Sequence, residues 1–177
     1  MPHPHAHFEY DFEGETFTHC KLCEKDLRST DEPYFVEKAL KPGDVIFEYA
    51  MCMTCVEDMR SAWSAHSVQA MEQFFGTHEG FRQYVQRRNA GAPPDLEHCA
   101  FTGKPVAAMR EYQIVAAFRL GKMVEEIFPY AIGEETLEEI QSLLSNETLG
   151  NLDDLGEKLF DWPPDLQGLK PRPIPIF

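Results

Sequence analysis

The chain lacks any apolar run approaching the roughly 18 residues that a membrane span needs, which excludes a transmembrane helix within its 177 residues. It is also short of positive charge. Lys and Arg number 16 against 30 Asp and Glu, a formal net charge of −14. A surface this negative repels phosphate backbones, whose protein partners rely on Lys and Arg. That argues against nucleic acid and anionic membranes as main partners. The opening residues, Met1-Pro2-His3-Pro4-His5, show no cationic start and no apolar stretch, and acids follow at Glu9, Asp11, Glu13 and Glu15. No secretory signal is expected there, and cytoplasmic residence is the expectation. A Gly-rich phosphate loop and a nucleophile elbow are both missing.

What is present is enough for a core. Hydrophobic residues make up 43% and aromatic residues 12%, too much for a disordered chain. The negative charge is concentrated: residues 125–165 carry twelve acids against the single base Lys158. The ordinary reading is a solvated surface that keeps the protein soluble; the alternative is a docking surface for a basic partner.

Cysteine is scarce but ordered. Of five, four form two C-x2-C pairs, Cys20/Cys23 and Cys52/Cys55, and Cys99 stands alone. In a reducing compartment that spacing reads as metal binding rather than disulfides. Zinc accepts four thiolates in a tetrahedron, and a C-x2-C turn aims both of its sulfurs at one centre. Between the pairs lie two β-rich runs, Tyr34-Phe35-Val36 and Val45 to Tyr49, joined by the turn signal Lys41-Pro42-Gly43-Asp44. After Cys55, apolar residues at Val56, Met59, Trp63, Ala70 and Phe74 predict one amphipathic helix ending near Gly76. Phe81, Tyr84 and Val85 predict a second, short helix, closed by Asn89-Ala90-Gly91 and stopped by Pro93-Pro94.

The second half repeats the first. With Val45 to Ser64 laid over Glu126 to Ser145 at an offset of 81, seven of twenty positions are identical, among them Phe47/Phe128, Tyr49/Tyr130 and Ser64/Ser145. At an offset of 79, His19-Cys20 falls on His98-Cys99 and Lys25 on Lys104; a two-residue difference in loop length reconciles the offsets. The metal positions are not kept: Cys23 becomes Thr102, Cys52 becomes Gly133 and Cys55 becomes Thr136. A single thiolate cannot hold structural zinc, so the second copy is expected to be held by packing alone.

Knuckle, β-hairpin and a cysteine pair at a helix start together resemble the treble-clef zinc finger. The resemblance implies an α+β fold of two fused treble-clef-like units, the first zinc-bound through Cys20, Cys23, Cys52 and Cys55 and the second metal-free. The expected organisation is an extended arm (1–17), a zinc-binding unit (18–76), a helical connector (77–96), the degenerate copy (97–146), and an acidic helix with a Pro-rich tail (147–177). The arm is expected to be unstructured, although its alternating His3, His5 and His7 could meet a metal on one side of a strand. In the tail, helix is expected over Leu152 to Phe160, and Ile174, Ile176 and Phe177 alternate for docking on the domain or on a second subunit. Asn146-Glu147-Thr148 matches a glycosylation sequon, read as coincidence without a signal peptide.

The treble clef hosts many functions and names none. One Zn2+ per chain, in a closed tetrahedron, leaves no open position for substrate, so a non-catalytic module with a protein partner is the leading expectation. A homo-oligomer is compatible with it. Rubredoxin-type iron is the competing metal site, disfavoured because Glu24 and Val56, not glycine, follow the second cysteine of each pair. Nucleases of the HNH type carry catalytic histidines and a basic surface, and this chain has neither their motif nor the charge. The competing function is an enzyme with its active site between the halves, drawing on His19, His98 or Cys99. The bland readings are a hydrogen bond under each knuckle for the histidines and a buried relic for Cys99.

Overall fold

The computed structural model describes residues 7–10, 15–160 and 173–175. A short hairpin, β1 (Glu9–Tyr10) and β2 (Glu15–Thr16), precedes the first cysteine knuckle. Then come β3 (Tyr34–Lys41), β4 (Asp44–Cys52), α1 (Met53–Ser61), α2 (Ala65–Thr77) and α3 (Glu79–Asn89). The second half supplies β5 (Tyr112–Arg119), β6 (Lys122–Met123), β7 (Tyr130–Gly133), α4 (Glu134–Leu143) and α5 (Asn146–Leu159).

One antiparallel sheet runs through both halves. Its order is β4-β3-β5, with β6 and β7 both pairing β5 on the far side. At the centre β3 pairs β5, with Tyr34 opposite Phe118, Glu37 opposite Val115 and Leu40 opposite Tyr112. These two strands are buried along almost their whole length, which is why they read as apolar runs and not as alternation. The face of Phe35, Tyr49 and Tyr130 meets α3 and flanking segments: Tyr130 packs on Phe81 and Tyr84 of α3, Phe35 on Phe128 before β7, and Tyr49 on Phe160 just beyond α5. The face of Tyr34 and Phe118 meets the N-terminal arm through Phe8.

That arm departs from expectation. Where it is described, it is a small paired hairpin whose flanking Phe8 and Phe17 are buried. Lys38, itself buried in the sheet, donates to the Glu9 carbonyl and pairs with Glu48 at 3.1 Å. Apolar burial at both ends and one charge-assisted bond hold the arm down. His7 is exposed, and His3 and His5 lie outside the described residues.

The long helix predicted over Val56 to Phe74 is two helices. The chain leaves helical geometry at Ser64, which caps α2 by accepting the Ser67 N–H at 3.1 Å. A serine cap outweighs the propensity to continue, and Trp63 is turned into the core. The same break recurs at Ser145, which caps α5 through the Thr148 N–H at 3.2 Å. The predicted tail helix is therefore longer, starting at Asn146 rather than Leu152. The two helix starts face each other. Ser64 donates its N–H to Thr148 Oγ1 at 3.0 Å, Ser145 donates its N–H to Ser67 Oγ at 2.8 Å, and the Ser64 and Ser145 hydroxyls are 2.8 Å apart.

The second hairpin also differs from the expected register. Tyr34 pairs with Cys52, and Tyr112 with Gly133, so the strands match at an offset of 78 before the turn and 81 after it. Three extra residues in the returning strand break it into β6 and β7, and Ile127 to Pro129 lie outside any strand. Both hairpins turn in two residues. Pro42-Gly43 places only the glycine at positive φ (81°), whereas Leu120-Gly121 places both residues there (51° and 74°).

Ile174 is buried near the start of β5; Gln113 donates its amide to the Ile174 carbonyl at 3.2 Å and to Glu37 at 3.0 Å. Ile176 and Phe177 lie outside the described residues. Among the described residues no helix is long and apolar enough to cross a membrane.

Candidate metal centre

The first cysteine pair sits in a tight knuckle. Glu24 donates its N–H to the Cys20 carbonyl at 2.9 Å, and Cys20 donates to the Lys25 carbonyl at 3.0 Å. Glu24 takes a positive φ of 61° to close the loop, which turns Cys20 and Cys23 toward one point. The knuckle is fixed to the sheet by the Lys21 N–H, which donates to the Ala50 carbonyl at 2.9 Å. The second pair straddles the start of α1, with Cys52 as N-cap and Cys55 one turn in.

These elements bring the four predicted ligands together. The sulfurs of Cys20, Cys23, Cys52 and Cys55 all lie within 4.8 Å of one another, and Cys23 Sγ is 3.8 Å from Cys52 Sγ. Four sulfurs at about 2.3 Å from one zinc ion would be about 3.8 Å apart, so the donor set fits a tetrahedral ion with little adjustment. Cys20 and Cys52 are buried, Cys55 is partly buried and Cys23 is exposed.

The electrostatics of Cys20, Cys52 and Cys55 point the same way. Burial pushes the Cys20 thiol up, but N–H donors from Cys23, Cys52 and Leu22 outweigh it, and its pKa falls below the ordinary value. Cys52 is pushed up to about 11, chiefly by burial. Cys55 is driven up further, by burial and then by its thiol neighbours. The Cys20 thiolate is therefore easy to form, and those of Cys52 and Cys55 are opposed. A divalent cation removes that opposition, because thiols that coordinate it are deprotonated outright.

Two supporting residues were not singled out from the sequence. Glu32 accepts hydrogen bonds from Lys25 on the knuckle and from the N–H of Thr54 on α1, the latter at 2.7 Å. The Lys25 ammonium comes first among the causes that hold the Glu32 carboxyl down at about 2. The other is Met109. A side chain at Gly133 would begin 2.5 Å from Met109 Sδ, so the methionine fills the space that a cysteine there would use. Neither contact had a readable signal, since Glu32 and Thr54 are 22 positions apart and Met109 precedes its partner by 24.

Around Cys99 the backbone pattern of the first knuckle returns. Gly103 donates to the Cys99 carbonyl at 2.8 Å, Cys99 to the Lys104 carbonyl at 2.9 Å, and Ala100 to the Ala131 carbonyl at 2.8 Å. Cys99 Sγ accepts the Gly133 N–H at 3.3 Å, as Cys20 Sγ accepts the Cys52 N–H at 3.4 Å. Cys99 is buried, with the Thr136 hydroxyl 3.6 Å from its sulfur.

Neither His19 nor His98 takes part in the cysteine cluster. His19 is exposed and bonds Thr18 Oγ1 at 2.8 Å; His98 is exposed and bonds Asp95 at 2.9 Å. A cleft of about 330 Å³ opens beside β5 and α4, lined among others by Ala39, Phe47, Arg110, Glu134 and Ile174. His19, His98 and Cys99 do not line it. No family model, curated protein or solved structure matches the chain.

Proposed function

We propose that the protein is a zinc-stabilised, non-catalytic interaction module, built from two treble-clef-like units of which only the first holds metal. The observation that carries this reading is the convergence of four sulfurs within 4.8 Å from two separate turns of the chain. Four thiolates complete the coordination of zinc and leave no position for a substrate or a reactive water. The ion then acts on stability. Structural zinc contributes on the order of 10–16 kcal/mol in small fingers, comparable with the whole stability of a domain at about 5–15 kcal/mol.

Support for the paired units comes from the recurrence of matching bonds at the two knuckles, the two helix breaks and the two hairpins. The Met109 thioether beside Gly133 supports a metal-free second unit, because it fills the place of one ligand. A protein partner is favoured over nucleic acid by charge. Helices α4 and α5 expose Glu135, Glu138, Glu139, Glu147, Asp153, Asp154 and Glu157, an arrangement suited to a basic surface.

Native mass spectrometry with elemental analysis tests the reading. One zinc per chain is expected. Two per chain would overturn the metal-free second unit, and iron from zinc-replete cells would favour a rubredoxin-type site.

A further inference from the structure

Helix α1 begins with a conflict. Its N-cap is Cys52, whose side chain makes no capping bond, and its first turn contains no acid. With no capping bond from Cys52, the free N–H groups of the first turn need another acceptor. Glu32 supplies it from the loop before β3. Its Oε1 accepts both the N–H and the hydroxyl of Thr54, one of the two residues between Cys52 and Cys55. Its Oε2 accepts from Lys25 Nζ, two residues beyond Cys23. One carboxylate is thus bonded to both cysteine turns.

From this geometry we infer that Glu32 is a positioning residue for the metal, clamping the two C-x2-C turns through Lys25 on one and Thr54 on the other. The inference rests on the zinc reading above. Four thiolates around a divalent ion carry a net charge of about −2. Lys25, two residues beyond Cys23 and paired with Glu32, places a cation on the knuckle. A carboxylate near such a centre would by itself be repelled; tied to Lys25 and to a helix start it is stabilising.

The second half shows what the clamp looks like without a metal. Lys104 pairs with Glu135 at 2.7 Å, and that acid stands on α4 itself. The knuckle is still tied to the helix start, but no third segment is needed. In the metal half the acid comes from elsewhere in the chain and spends its second oxygen on the ligand turn. Such outer contacts commonly set metal affinity by about 10- to 100-fold.

The test uses the zinc-loaded full chain, Glu32→Gln, and Glu135→Gln as the matched control. Zinc transfer to a colorimetric chelator gives the release rate, and the absorption spectrum of the cobalt-substituted protein reports ligand geometry. E32Q should release zinc about 10-fold faster or more and alter the cobalt bands. E135Q should lower the melting temperature but leave both metal readouts at wild-type values. Glu32→Asp keeps the charge with a shorter reach and should fall between. Wild-type release and spectrum in E32Q would overturn the inference while leaving the zinc site standing. Equal effects of E32Q and E135Q would overturn it too, as general destabilisation. A wild-type chain that takes up no zinc would sink the site reading, and this inference with it.

Discussion

At the scale of single residues, the four cysteines differ sharply from the fifth. Cys55 lies one turn into α1, where a serine would be a poorer zinc ligand. C55S should lose zinc and expose apolar surface, with a lowered melting temperature; a variant that keeps both metal and fold would remove Cys55 from the ligand set. Cys99 is more deeply buried than Cys55 and sits beside Thr136 and Gly133 instead of other thiols. C99S should leave zinc content unchanged and cost about 1 kcal/mol, because its buried sulfur acts mainly as packing. Gly80 is constrained for a different reason. A Cβ there would stand 1.8 Å from the Phe101 carbonyl oxygen, where α3 presses on the second knuckle. Gly80→Ala must push backbone from backbone, and a loss of about 3 kcal/mol or more in urea unfolding is expected. Gly76 has nothing near it, so Gly76→Ala should be neutral or stabilising in the same assay. The four clustered cysteines were legible in the sequence because a C-x2-C turn is local. Glu32, Met109 and Gly80 were not, because their meaning depends on residues that the fold brings from 20 or more positions away.

At the scale of elements, the strands of the first hairpin and the position of α3 were legible from period and turn chemistry, and that of α4 from the match of the second half to the first. The break between α1 and α2 was missed because Val56, Met59, Trp63 and Phe74 sustain helical spacing straight across it. Ser64 decides the matter, and it does so jointly with Ser145. Each serine caps its own helix, and each helix start gives an N–H to the second hydroxyl residue of the other, Thr148 or Ser67. Ser64→Ala should cost about 1 kcal/mol from the cap alone. The double variant with Ser145→Ala should not be additive, since the two hydroxyls are in direct contact at 2.8 Å. Additive losses in a denaturation cycle would mean that the two helix starts are energetically independent. The second hairpin was read too simply for a related reason: identities from Ile127 to Ala131 suggested one strand, but three added residues bend the chain away until Tyr130.

At the scale of the whole molecule, the decisive feature was not legible at all. The repeat in the sequence suggests two units in series, each with its own core. In the fold the central strands of both halves, β3 and β5, pair over seven positions. The halves also exchange support: Phe74 and Phe75 of α2 pack on Phe101 of the second knuckle, and Phe160, just beyond α5, packs on Phe47 and Tyr49 of the first hairpin. Strand pairing between distant repeats leaves no local trace in composition or period. It changes what metal removal should do. If the halves were independent, chelation would open residues 18–76 as a block and spare 97–146. With a shared sheet, the segments that would depend most on a bound ion are the knuckle at 19–26 and the start of α1. Strand β3 is held on its other side by β5, and α2 is held by the second knuckle. Hydrogen exchange after chelation should therefore show fast opening at 19–33 and 53–61, with protection kept in β3, β5, β7 and α2. Loss of protection throughout 18–76, with α2 and β3 included, would show that zinc organises the first half as a unit and that the shared sheet does not carry it alone.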